Sequence, residues 1–107
     1  MRSELSDDPV LRRVRAALSR IYGDRIERVV LFGSRARGDA HSDSDHDIAV
    51  FLEDVDDRWR EFHRLADLRS EILAETGAFL EARPFRARSF RERTPLMHEI
   101  RRDGVDL

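Results

Sequence analysis

The amino-acid sequence predicts an α/β (α+β) fold in which a small mixed β-sheet is flanked by helices. Three stretches carry apolar residues at helical spacing, and three others are short apolar runs typical of strands. Their order along the chain is helix, strand, strand, helix, strand, helix. This alternation favours a sheet packed against helices over an all-helical or all-β domain.

Composition narrows the class of protein. The chain has 107 residues with a formal net charge of −2, which predicts one domain spanning residues 1–107 and makes nucleic acid an unexpected partner. Cysteine is absent, which excludes disulfides and thiolate metal sites. No apolar run approaches the length of a membrane span, and the N-terminus lacks the apolar centre of a signal peptide. We therefore expect a cytoplasmic protein with no membrane contact.

The first half of the chain has clear boundaries between elements. Asp8-Pro9 predicts a helix start, because a capping carboxylate precedes proline at the first helical position, and Gly23 predicts the helix end. Strands are predicted at Ile26–Phe32 and His46–Leu52.

A long helix is predicted between an acidic turn at Asp54–Asp57 and Gly77. Apolar residues at helical spacing predict its buried stripe, which assigns Trp59 and Phe62 to the core and not to a platform for stacking bases. The residues of the predicted stripe are Trp59, Phe62, Leu65, Ala66, Ile72 and Leu73.

The C-terminal third is predicted to add a strand, a helix and a short terminal strand. The strand covers Ala78–Phe85, where Pro84 limits it or marks a sheet edge. The helix starts near Thr94-Pro95 and runs to Gly104, and Val105–Leu107 follows as the short strand. Seven arginines and two glutamates lie between residues 83 and 102, so this basic stretch either meets phosphates or an acidic partner, or is a solvated surface.

Two carboxylates mark the start of the second strand. Alternate residues of a strand point the same way, so Asp45 and Asp47 lie side by side with His46 on the opposite face. Like charges this close repel, and a divalent cation relieves the repulsion. Mg²⁺ is usually held by one or two carboxylates together with substrate phosphates.

The end of the first strand supplies the complementary feature. Gly33 and Ser34 offer backbone N–H groups and a hydroxyl where a strand passes into a helical turn, which is a favourable place for an anion. A phosphate cradle beside a pair of metal ligands indicates phosphoryl or nucleotidyl transfer. A calcium loop at residues 43–54 is the weaker alternative, because Ile48 replaces the required glycine and Asp54 the required glutamate.

The motif Gly33-Ser34-Arg35-Ala36-Arg37-Gly38, followed by Ser44-Asp45-x-Asp47 and apolar residues, resembles the signature of the polymerase-beta-type nucleotidyltransferase superfamily. The small size resembles its minimal nucleotidyltransferase (MNT) branch. The resemblance is tightest over Val29–Leu52 and implies a polymerase-beta-like nucleotidyltransferase core.

The resemblance also implies roles for individual residues. Asp45 and Asp47 would ligate two Mg²⁺ ions, and Glu81 on the third strand would be the third acid, binding the second ion or accepting a proton. The family commonly has aspartate at that position, and a surface ion pair is the alternative role for Glu81. Gly33 and Ser34 would hold the triphosphate of ATP.

Two arginines of the same motif complete the implied site. Arg35 or Arg37 would add positive charge near the leaving pyrophosphate. For each arginine, a side chain facing solvent is the alternative.

Minimal members of the family imply a biological partner. Many are encoded beside a small helical HEPN protein and act as antitoxins by transferring AMP from ATP to that toxin. The alternatives are neutralisation by contact alone, and transfer to a small molecule or to RNA. The nucleotide base, the acceptor and any homo- or hetero-oligomer stay open at this point.

Overall fold

The structure is a computed structural model, which describes residues 8–41 and 44–107. The N-terminal residues 1–7 and Asp43 of the calcium-type pattern lie outside the described residues. The helices are α1 (Pro9–Tyr22), α2 (Ser34–Arg37), α3 (Arg58–Thr76) and α4 (Pro95–Asp103). The strands are β1 (Ile26–Phe32), β2 (His46–Leu52), β3 (Leu80–Arg86) and β4 (Val105–Asp106).

The four strands form a mixed sheet in the order β3-β2-β1-β4, which confirms the predicted fold class. β2 pairs antiparallel with β1, so that Asp47 stands opposite Phe32. β3 runs parallel to β2 and places Glu81 beside Asp47. β3 is an edge strand of this sheet, where Pro84 costs no ladder hydrogen bond on the outer side.

One face of the sheet, which we call the packed face, carries Ile48, Val50 and Leu52 of β2. Helices α1 and α3 cover it and form the larger core. Leu18 of α1 and Ile72 of α3 are fully buried there. This core packs against the side of the sheet that faces away from Asp47.

The other face, which we call the acidic face, carries Asp47 together with Ala49 and Phe51 of β2. A smaller core forms here, in which Met97 and Ile100 of α4 pack on the sheet. Along β2 this cluster ends at Ala49, and Phe32 of β1 is the member that stands opposite Asp47.

Helix α3 turns a different side to the core from the one predicted. Trp59 is 74% exposed, Phe62 44% and Leu73 43%, so the predicted buried stripe was wrong at these positions. Its buried residues are Glu61, Leu65, Leu68 and Ile72. The helix is therefore rotated by about a quarter of a turn from the predicted orientation.

The paired and buried side chain of Glu61 explains why α3 turns this side to the core. Its carboxylate is almost fully buried and lies 2.9 Å from Arg25 and 3.7 Å from Arg64. A buried charge is tolerated when it is paired in this way. A search for apolar residues alone passes over such a position.

The remaining boundaries agree closely with the predictions. The Asp8 side chain caps α1 by accepting from the backbone N–H of Val10, and Thr94 caps α4 by accepting from Met97. β3 begins at Leu80 and not at Ala78, because the chain leaves α3 through a left-handed Gly77. In the described part of the chain, no helix has the length and apolar character needed to span a membrane.

Candidate active site

Gly33 places the end of β1 against the carboxylate of Asp47. Its φ of 74° lies in the left-handed region, and a Cβ at this position would collide with Oδ2 of Asp47. Only glycine allows both this backbone conformation and this close approach. The backbone of the Gly-Ser turn and the acid on β2 therefore form one surface.

The one-turn helix α2 starts directly after this glycine. The backbone N–H groups of Ala36 and Arg37 donate to the Gly33 carbonyl, which closes the turn. Ser34 is half-buried, and its hydroxyl makes no hydrogen bond to any residue in 8–41 or 44–107. The hydroxyl is therefore available to an external acceptor such as a phosphate oxygen.

The three predicted acids lie on one face and at one end of the sheet. Asp45 precedes β2 and is exposed, while Asp47 and Glu81 are half-buried neighbours on adjacent strands. Within the described ranges, no three His, Asp or Glu side chains converge closely enough to hold a metal ion as they stand. The sheet thus brings the three acids to the same end of the sheet, but their side chains do not form a complete set of metal ligands in this arrangement.

The electrostatics of Asp47 reflect this concentration of acids. Burial raises its pKa above the ordinary range, and the carboxylates of Asp45, Glu81 and Glu99 raise it further, against the opposing charge of Arg83. The ionised form of Asp47 is therefore held at a cost in free energy. A cation bound between these carboxylates would remove that cost, so the donor set fits a hard divalent ion.

Glu81 has a partner of its own. Its Oε2 lies 3.8 Å from Nη1 of Arg69, which reaches round the sheet edge from α3. Beside this pair is a cavity of about 270 Å³. Its lining residues are Asp45, Arg69, Leu73, Phe79, Leu80 and Glu81.

The two arginines of the motif point to different neighbours. Arg35 donates from Nε and Nη2 to the carbonyl of Ser44, at 3.1 and 2.9 Å, and so braces the loop that leads to Asp45. Arg37 lies 3.4 Å from Glu99 of α4. Each therefore organises the site through protein contacts, and their predicted role at the pyrophosphate stays a prediction.

Two charged residues at the site were missed by the sequence analysis. Glu99 of α4 and Arg83 of β3 are both close enough to act on the pKa of Asp47. Glu99 is one of only two acids in the basic stretch, which was the one signal available for it. Their position depends on how α4 and β3 pack, and no local pattern encodes that.

His46 lies on the packed face, opposite to the acids, as the strand alternation predicts. Its ring is buried, and Nδ1 is 3.3 Å from the carbonyl of Phe79. Burial lowers its pKa, and the charge of Arg35 lowers it further. The neutral ring joins β2 to the chain entering β3.

Comparison with known proteins places this geometry in a family. Residues 11–97 match the model of the nucleotidyltransferase domain. The chain belongs to the nucleotidyltransferase domain family. It is accordingly a nucleotidyltransferase, and the superfamily predicted from the sequence is confirmed.

Two curated relatives of this nucleotidyltransferase come from Methanocaldococcus jannaschii. MJ0604, described as a candidate protein adenylyltransferase, is 33% identical over 78 residues, which are 73% of this chain and 72% of that protein. MJ0141, with the same description, is 35% identical over 46 residues, covering 43% of this chain and 46% of the relative.

Solved structures share the fold of this nucleotidyltransferase. A toxin–antitoxin crystal structure with AMP-PNP superposes with a TM-score of 0.62 at 22% identity, over 92% of this chain and 71% of that one. A mutant of the toxin–antitoxin MntA-HpeT gives the same TM-score at 20% identity, over 88% and 69% of the two chains. At this identity the likeness establishes the fold.

Proposed function

We propose that this nucleotidyltransferase transfers AMP from ATP to a protein, and that the acceptor is the HEPN-type toxin of a toxin–antitoxin pair in the cytoplasm. The observation that carries the proposal is the contact between Gly33 and Asp47, since it joins a phosphate-binding turn to an acidic metal-binding face. The names of the relatives and the toxin–antitoxin folds support the choice of a protein acceptor.

The residues of the candidate site divide the work of the transfer reaction. Gly33 and Ser34 hold the triphosphate, and Asp45 and Asp47 hold Mg²⁺, with Glu81 able to join them on leaving Arg69. When bound, Mg²⁺ neutralises charge on the phosphates and on the attacking and leaving oxygens. The acceptor hydroxyl oxygen bonds to the α-phosphorus, the bond to pyrophosphate breaks, and Glu81 accepts the hydroxyl proton.

The direct test is to incubate the purified chain with ATP labelled at the α-phosphate, Mg²⁺ and the HEPN-type protein encoded beside it. We expect label and added mass of one or more AMP units on the partner, and none after chelation with EDTA. Asp45→Asn and Asp47→Asn variants should not transfer label. Transfer that persists in both variants would refute the metal-binding roles of these two aspartates.

A second function has one observation in its favour. Arg69 lies 3.8 Å from Glu81 in an ion pair that occupies the third acid, and a protein that neutralises its toxin by contact alone does not need that acid. Cells producing the toxin distinguish the two. Protection by the Asp45→Asn/Asp47→Asn double variant means that contact suffices, and its loss means that transfer is required.

A further inference from the structure

A stripe of exposed side chains runs along α3 on the side that overhangs β3. It consists of Trp59, Phe62, Ala66, Arg69 and Leu73, which we call the α3 stripe. Their spacing alternates between three and four residues, so they lie in one row on the helix surface. The row spans about 21 Å at 1.5 Å per residue.

This stripe concentrates the apolar surface of the molecule. Among the described residues, the large hydrophobic side chains that are exposed are Trp59, Phe62, Leu73 and Phe79. Three of them belong to the α3 stripe, and Phe79 extends it beyond the end of the helix. Contiguous apolar surface of this kind marks an interaction site, whereas single exposed residues are ordinary.

The stripe leads directly to the candidate acids. Arg69 and Leu73 line the same cavity as Asp45 and Glu81, with Phe79 between the helix and the sheet edge. A protein bound to the stripe would therefore also lie against this cavity. The charged side chains on this side of α3 are those of Arg58 and Arg69. We therefore expect the bound protein to carry acidic residues where it meets them.

We propose that the α3 stripe is the surface on which the acceptor protein docks. The occupant presents a helix whose apolar side chains cover Trp59, Phe62 and Leu73 and whose flanking carboxylates meet the arginines. The seated helix holds an acceptor hydroxyl at the cavity between Asp45 and Glu81. This inference rests on the proposed function for the identity of the occupant, and its test separates the two.

Trp59 is the only tryptophan of the chain, so it serves as its own probe. The chain is produced with 5-fluorotryptophan, and its single ¹⁹F signal is followed while the purified HEPN-type protein encoded beside it is added. We expect a saturable shift on titration with the partner and no shift with ATP alone. Transfer of AMP to the partner is measured on the same samples.

Two variants keep the probe in place. Phe62→Ala/Leu73→Ala removes apolar surface from the stripe, and we expect the affinity for the partner to fall at least about 10-fold. The KM for the partner should rise to match. Arg60→Ala/Asp67→Ala is the matched control, since both residues are exposed on the far side of α3 and their charges cancel.

The outcomes are distinct. A ¹⁹F signal that does not move while AMP is transferred overturns the docking surface and leaves the proposed function standing. A partner-dependent shift without transfer supports the docking surface and refutes the proposed function. A shift that follows the concentration of this chain alone shows that a second copy covers the stripe, and it overturns the proposal.

Discussion

The two faces of the sheet differ in what their side chains do. On the packed face, helices α1 and α3 bury apolar residues, and burial lowers the pKa of His46 so that its ring is neutral. On the acidic face, α4 covers one end, and the other end collects carboxylates, where burial and the neighbouring acids raise the pKa of Asp47. The larger core thus lies on one side of the four-stranded sheet and the candidate site on the other, and substitutions should separate their effects.

The largest effect should come from Asp47→Asn. We expect nucleotidyl transfer to fall by about 10³-fold or more, because one of the two proposed Mg²⁺ ligands is lost. The free energy of unfolding should stay equal or rise, since a half-buried, repelled carboxylate has been removed. Thermal melts beside transfer assays test this, and a variant that loses stability along with activity would contradict the separation of the faces.

Leu18→Ala makes the opposite change. Leu18 is fully buried on the packed face, so we expect a loss of about 2–5 kcal/mol in the free energy of unfolding. Transfer activity measured well below the melting temperature should change less than about 3-fold. Urea unfolding gives the first value, and a specific activity that falls with the stability would show that the faces are coupled.

Gly33→Ala tests the close approach of the turn to Asp47, with Gly38→Ala as a control for positive φ. An added Cβ meets nothing within 4 Å at Gly38, and ψ is 12° there but −158° at Gly33. We expect the control to lose about 1 kcal/mol of stability and little activity. Gly33→Ala should lose about 1–3 kcal/mol and most of its activity, because it adds the collision with Asp47 to a backbone conformation that only glycine adopts readily. Equal losses in the two variants would contradict a special role for the contact with Asp47.

Glu81→Gln distinguishes a working third acid from a surface ion pair. We expect transfer to fall by about 100-fold, the lower end of the range for a single acid–base group. Stability should change by less than about 1 kcal/mol, because the pair with Arg69 is partly exposed. Arg69→Ala is the control, and equal activity in Glu81→Gln and wild type would reduce Glu81 to an ion-pair partner.

The smallest effect concerns pH. The pKa of Asp47 is raised in the folded protein, so this group lowers stability above that pKa and the loss disappears as pH falls towards the ordinary aspartate range. Asp47→Asn should therefore be more stable than wild type at neutral pH, by an amount that shrinks on acidification. Denaturant unfolding of both proteins at several pH values measures the difference, and a gap that widens would contradict the sign.

The sequence predicted the local parts of the fold closely. β1 and β2 have the bounds expected from their apolar runs, and Asp8 and Thr94 cap the helices they were assigned to. These features depend on neighbours in sequence, where pattern and capping rules apply directly. The family motif lies within the same local stretch.

Tertiary features were harder to predict. The buried side of α3 was missed because Glu61, a charged residue, occupies it through its pairing with Arg25. Glu99 and Arg83 reach Asp47 only through the packing of α4 and the register of β3. The sequence marks Glu99 only as an acid within a basic stretch and does not show that either residue approaches Asp47, since both contacts join elements far apart along the chain.

The parallel pairing of β2 with β3 sets an order of assembly. Asp47 takes its position when β2 closes on β1 through the 13 residues 33–45, whereas Glu81 arrives only after the 19 residues of α3 have crossed over. Distant pairings form later because loop closure costs entropy before contacts repay it. We expect pulse-labelled hydrogen exchange to protect β1 and β2 first, so a nascent chain would acquire its third carboxylate last.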